Sequence, residues 1–200
     1  MSKVKKSGPA IFMYCVIAIT AIISTICFIL YYRNIYKSQV ILWSGITAFT
    51  IMYHLWVRII MGNVVKLFKK YLHYNQAWFK EKRFEKKIYD ILRVKKWKKK
   101  ALTYNPELFC LKDNSLEEIA NTMTKAELDH WVNELISLST LLFAAIWGKL
   151  WIFSISAIVA MIFDAQFIVI QRYNRPRVIR ILRRKGTIST KETLFNTKAL

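Results

Sequence analysis

Glu127, His130, Trp131 and Glu134 stand at the spacing i, i+3, i+4 and i+7, which gathers them on one face of a helix. A carboxylate one turn from a histidine can orient the imidazole and stabilise its protonated form, the arrangement a general base requires. The chemistry expected here is proton abstraction, with His130 as the base and Glu127 as the acid that orients it. A plainer reading stands beside it. Glu127 also ends Thr124-Lys125-Ala126-Glu127, a capping box, and His130 is then an interfacial histidine without a chemical role. Glu127, His130 and Glu134 offer only one strong ligand type, so no metal is expected.

A second group of residues has the chemistry of anion recognition. QRYNRPR at 171–177 carries Arg172, Arg175 and Arg177, planar and permanently charged donors suited to phosphate or carboxylate. Pro176 stiffens the chain there. Simple anchoring at a membrane surface calls for the cations but not for Gln171, Tyr173, Asn174 and Pro176. VKKWKKK at 94–100 is the densest basic run. A solvated lysine run is its default reading, while Trp97 and Lys98 within it suit lipid headgroups or the phosphates of an anionic cofactor. Asp164 lies seven residues before Gln171 and His54 seven before Met61, each toward the end of an apolar block. Intramembrane ionisable groups usually have a partner, so a polar pair between them is expected, structural before catalytic.

Several chemistries lack their motifs. Five positions after His54, His73 and His130 come Ile59, Trp78 and Leu135, so no HxxxxD acyltransferase motif is present. Nor is there a nucleophile elbow, a Walker loop, GxGxxG or HExxH.

The elements that must position these residues belong to a membrane. Hydrophobic residues form 54% of the chain, yet Lys and Arg number 32 against 12 acids, and apolar blocks alternate with charged ones. Ala10 to Tyr32 is free of charge over 23 residues, enough for a helix to cross about 30 Å of hydrocarbon. It lacks a clean small-residue cleavage site, so it reads as a retained anchor rather than a signal peptide. Further blocks run from 40 to 61, 131 to 147 and 150 to 170, the last two separated by Gly148 and Lys149. The fold class expected is an all-α integral membrane protein. Four transmembrane helices form hairpins at 1–61 and 131–171, with a basic amphipathic interfacial segment at 62–130 and a basic tail at 172–200. Arg58, near the end of its block, is expected to reach the headgroups. The segments assigned inside hold 3, 16 and 9 Lys or Arg, and the outside loops hold 3. That asymmetry puts both termini in the cytoplasm. The net charge of +20 is then explained by anionic headgroups, and no nucleic-acid motif accompanies it. Capping boxes at Ser115–Glu118 and Thr124–Glu127 predict two helices, starting near Leu116 and near Lys125. Residues 101–111, with Pro106, read as loop, and 186–200 as a flexible tail. At about 1.5 Å per residue the last hairpin rises about 24 Å and descends about 31 Å. Its two ends therefore return His130 and QRYNRPR to one boundary layer.

The order WKKKAL, KAELDHW, an apolar hairpin and QRYNRPRVIRILRRKG resembles the glycosyl-4,4'-diaponeurosporenoate acyltransferase family of bacterial membrane proteins, over roughly residues 64 to 186. The shared pattern falls on Trp97 and its lysines, on Lys125, Ala126, Glu127, His130 and Trp131, and on 171–177. The resemblance implies acyl transfer to a hydroxyl of a membrane-held glycolipid, as in staphyloxanthin-type carotenoid synthesis. It implies an acyl thioester donor such as acyl-CoA and no permanently bound cofactor. His130 would deprotonate the acceptor, while Arg172, Arg175 and Arg177, with Lys98, Lys99 and Lys100, would hold donor phosphates. It also implies the plasma membrane of a bacterium. Two other readings remain open: a non-enzymatic protein that binds anionic lipids or partners, and a transferase of another group acting on a membrane lipid.

Overall fold

The structure is a computed structural model that describes residues 8–101 and 106–198, and every regular element among them is helical. Lys3, Lys5 and Lys6, and the part of the expected loop at 102–105, lie outside the described residues. The chain forms two compact units.

The first unit holds residues 8–67 and 129–166. Helices α1 (Gly8–Tyr32) and α2 (Gln39–Leu67) pack on each other through a close approach at Gly45. The Ser24 hydroxyl donates to the Gly45 carbonyl at 3.2 Å. A Cβ at Gly45 would lie 3.0 Å from Cys27 Cβ and 3.2 Å from the Phe28 ring, so glycine is what lets the backbones meet. The turn between the helices places Asn34 at φ 56°, a left-handed conformation that asparagine tolerates. Leu42, Ile46, Ile152 and Phe153 form the core, with Phe28, Phe143 and Trp147 against it.

Three helices are long and apolar enough to cross a membrane: Ile11–Tyr32, Gln39–Leu67 and Leu150–Lys185. Their apolar side chains face outward, among them Ile19, Ile22, Ile26, Ile155, Ile158 and Ile162. Apolar surface on that scale calls for hydrocarbon rather than water, and the chain is a membrane protein. The block 131–147 is not one helix. Helix α5 (Leu116–Ser139) ends there, a 3-10 turn follows at Thr140–Phe143, and α6 (Ala144–Trp147) closes it. Ser137, Ser139 and Thr140 each turn a hydroxyl onto a carbonyl of the preceding turn, at 2.9, 2.6 and 2.7 Å. Such back-bonding bends and weakens a helix. Gly148 then adopts φ 63°, its N–H donating to the Ala144 carbonyl at 2.7 Å, a glycine helix stop.

The second unit holds 68–101, 106–128 and 167–198. Two expected helices here are one. The Ser115 box does cap α5: the Ser115 N–H donates to Glu118 at 2.8 Å, and the Glu118 N–H to Ser115 at 3.2 Å. The Thr124 box is unused, because the Thr124 hydroxyl donates back to the Ala120 carbonyl at 2.9 Å. The basic stretch after residue 67 is not a continuous amphipathic helix. It is broken into 3-10 turns, α3 (Glu85–Ile91) and α4 (Val94–Trp97), with Arg93 in the left-handed region at φ 49° between the last two.

The last helix also differs from expectation. α7 runs over Leu150–Lys198, so the chain does not leave its helix at 170, and 186–198 continues it. Pro176 lies inside. Its missing N–H deprives the Arg172 carbonyl of a helical bond, and side chains support the turn: Arg177 donates to the Tyr173 carbonyl.

Candidate functional site

Each unit carries a buried charge centre. In the second, Glu127 of α5 has no solvent exposure. Its Oε1 accepts from Arg172 Nη1 and its Oε2 from Arg175 Nη1, both at 2.6 Å. Arg172 also meets Glu85 Oε1 through Nη2 at 2.8 Å and Nε at 3.0 Å. The other Glu85 oxygen accepts from the Tyr89 hydroxyl at 2.8 Å. Arg175, 1% exposed, donates to the Phe79 carbonyl at 2.6 Å and lies over the Phe79 ring. Two carboxylates thus balance two guanidiniums in a buried lattice. Burial, and then the bond to Glu85 and its charge, push the Tyr89 phenol above its ordinary range.

Around this lattice the rest of QRYNRPR is placed. Gln171 and Tyr173 are buried and Asn174 is half-buried. Tyr173 packs with Tyr89 and Val94, and Trp97 and Val169 pack against them. The Trp97 indole N–H donates to the Leu92 carbonyl at 2.9 Å. Lys98 Nζ lies 2.5 Å from Asn174 Oδ1 and over the Tyr173 ring.

In the first unit the centre is Asp164, fully buried on α7. Its Oδ2 pairs with Arg58 Nη2, and its Oδ1 lies 2.8 Å from His130 Nδ1. Arg58 Nη1 donates to the His54 carbonyl at 2.9 Å. The expected His54–Asp164 pair is therefore replaced. Asp164 takes Arg58 and His130, and His54 Nε2 is buried without a hydrogen-bond partner among the described residues. Arg58 stays inside at 13% side-chain exposure instead of reaching headgroups, because a buried carboxylate needs a charge partner more than the cation needs water. Trp131 is half-buried beside His130 on α5.

The orienting acid is also different. The carboxylate at His130 Nδ1 is Asp164, while both Glu127 oxygens accept from arginines. A neutral imidazole that donates from Nδ1 to a carboxylate carries its lone pair on Nε2. His130 keeps 22% side-chain exposure. Sequence reasoning missed Arg58, Glu85 and Tyr89. Glu85 had a signal, being an acid amid lysines; Arg58 had one as the only Lys or Arg within the apolar block 40–61.

Residues 75–184 match the family described as glycosyl-4,4'-diaponeurosporenoate acyltransferase. The chain belongs to that family. Relatives bearing this name come from Staphylococcus aureus: strain Newman at 31% identity, and strains bovine RF122 / ET3-1 and N315 at 30% each. Each alignment covers 69% of this chain and 90% of the relative. The family and these relatives are named acyltransferases, and the chain is accordingly a transferase enzyme. No solved structure matches it. The matched region contains Glu85, Glu127, His130, Asp164, Arg172 and Arg175, and thus every charged member of both centres except Arg58.

Proposed function

We propose that this chain moves a fatty acyl group from an acyl thioester, such as acyl-CoA, to a hydroxyl of a membrane glycolipid such as a glycosylated carotenoid. The observation that carries this reading is the 2.8 Å contact of His130 Nδ1 with the buried Asp164 carboxylate. His130 Nε2 takes the acceptor's hydroxyl proton as that oxygen attacks the thioester carbonyl. The C–S bond breaks, the thiolate leaves, and the proton passes from the imidazolium to it. Asp164 holds the ring and offsets the imidazolium charge, and Arg58 pairs with Asp164 within the apolar surroundings. The acceptor follows the name of the family and of its relatives.

In this reading the chain crosses a bacterial cell membrane four times, with 131–147 as the third crossing and both termini in the cytoplasm. The excess of Lys and Arg in the inner segments supports that orientation. The exposed Phe68, Tyr71, Trp78, Phe84 and Ile91, with Lys70 over Tyr71 and Lys82 over Trp78, suit an interface with anionic headgroups.

The test compares lipid extracts by mass spectrometry from cells that make the glycolipid and carry the wild-type, His130→Ala or Asp164→Asn chain. The wild type adds one acyl chain to the acceptor. Loss of a general base costs about 10²–10⁴-fold in rate, so His130→Ala at wild-type membrane levels should yield almost no product. Full transfer by that variant refutes the reading.

A further inference from the structure

The three arginines of QRYNRPR do different work. Arg172 and Arg175 are committed to Glu85 and Glu127, so they are not available to an outside anion without breaking a buried lattice. Arg177 is exposed. Its guanidinium carbon stands 3.5 Å from the centre of the Tyr173 ring, and Lys98 Nζ stands 4.6 Å from the same centre. Both cations are held there by neutral partners, Arg177 by the Tyr173 carbonyl and Lys98 by Asn174 Oδ1. Among the described residues no carboxylate pairs with either. Lys95 and Lys99 are exposed on the same short stretch as Lys98.

Like charges gathered at one aromatic ring repel, and a ring quadrupole offsets only part of that. The Lys98 ammonium accordingly lies below the ordinary lysine range, through desolvation first and then the charges of Arg177, Lys99 and Lys95. An anion of high charge density would relieve this repulsion and would find unspent donors. Lysine has three N–H bonds and arginine five, and the bonds to Asn174 and to the Tyr173 carbonyl occupy few of them.

We propose that Lys98 and Arg177, set against Tyr173 and flanked by Lys95 and Lys99, form a binding site for a phosphate or pyrophosphate group. The group has two sources of the same chemistry: the nucleotide end of a coenzyme A thioester, or the headgroup of an anionic lipid. The nucleotide source rests on the acyl-CoA donor of the proposed function; the site itself does not.

The full chain is reconstituted in phosphatidylcholine nanodiscs, and binding of radiolabelled coenzyme A is measured without turnover. A parallel arm uses nanodiscs of mixed phosphatidylglycerol and phosphatidylcholine, and native mass spectrometry counts the phosphatidylglycerol retained. Lys98→Gln and Arg177→Gln should each weaken binding about tenfold in one arm, the effect of one lost charge-assisted phosphate contact. Arg177→Lys should restore most of it. Weakening in the first arm assigns the site to a nucleotide, and in the second to a lipid headgroup. Variants that match the wild type in both arms overturn the site. Because binding is read without catalysis, that failure is distinct from a failure of His130 as base.

Discussion

Replacing Glu127 by alanine distinguishes the two roles that its position suggests. The substitution removes the acceptor of two 2.6 Å bonds, from Arg172 and from Arg175. Glu85, Glu127, Arg172 and Arg175 balance two charges against two, so the variant is left with one unmatched positive charge. Arg172 retains Glu85. The burden therefore falls on Arg175, whose side chain is 1% exposed. Breaking a buried ion pair from one side costs about 3–5 kcal/mol. For a chain of this size each kcal/mol shifts the melting temperature by about 2–4 °C, which gives a fall of about 10 °C. The assay is thermal unfolding in detergent, followed by tryptophan fluorescence, with transfer activity measured well below the transition. Glu127→Ala combined with Arg175→Met removes both charges and should recover at least half of the loss, since a well-packed apolar replacement of a buried pair is often neutral. If Glu127→Ala melts within about 2 °C of the wild type yet transfers no acyl group, Glu127 acts in the chemistry and the buried-lattice account is wrong.

Two further outcomes follow from the same geometry. Gly45→Leu should destabilise the α1–α2 pair by about 1–3 kcal/mol, the usual cost of overpacking, because even a Cβ there meets Cys27 at 3.0 Å; an unchanged melting temperature would contradict that close approach. The raised Tyr89 phenol keeps its proton in the folded chain while the unfolded chain sheds its own above about pH 10. Its contribution to stability is therefore complete below that pH and declines as pH rises further. Tyr89→Phe should flatten the alkaline decline of the melting temperature, and parallel curves for both proteins would exclude this role.

The helical class, three of the four apolar spans, the Ser115 cap and the break at Gly148 were legible in the residues, because periodicity, capping and backbone freedom are local properties. Helix boundaries were less so. The Thr124 box has the right residues for a new start, but its hydroxyl bonds backward and α5 runs through. The block 131–147 has the composition of a span, but three hydroxyls bend it into separate turns. Pro176 promises an end and is absorbed into α7.

The partners of the charged residues were the part that spacing could not assign. Sequence alone identified Glu127, His130, Asp164 and the arginines of 171–177 as the groups to explain, since charged and polar residues at apolar boundaries demand partners. It also set Glu127 one turn from His130. Spacing along one helix specifies which side chains share a face, not what the opposing element brings to that face. Tertiary packing made that decision: Glu127 went to Arg172 and Arg175, Asp164 to His130 and Arg58. A buried carboxylate is stabilised most by a fixed cation brought from another helix at hydrogen-bond distance, and that arrangement exists only after the helices have packed.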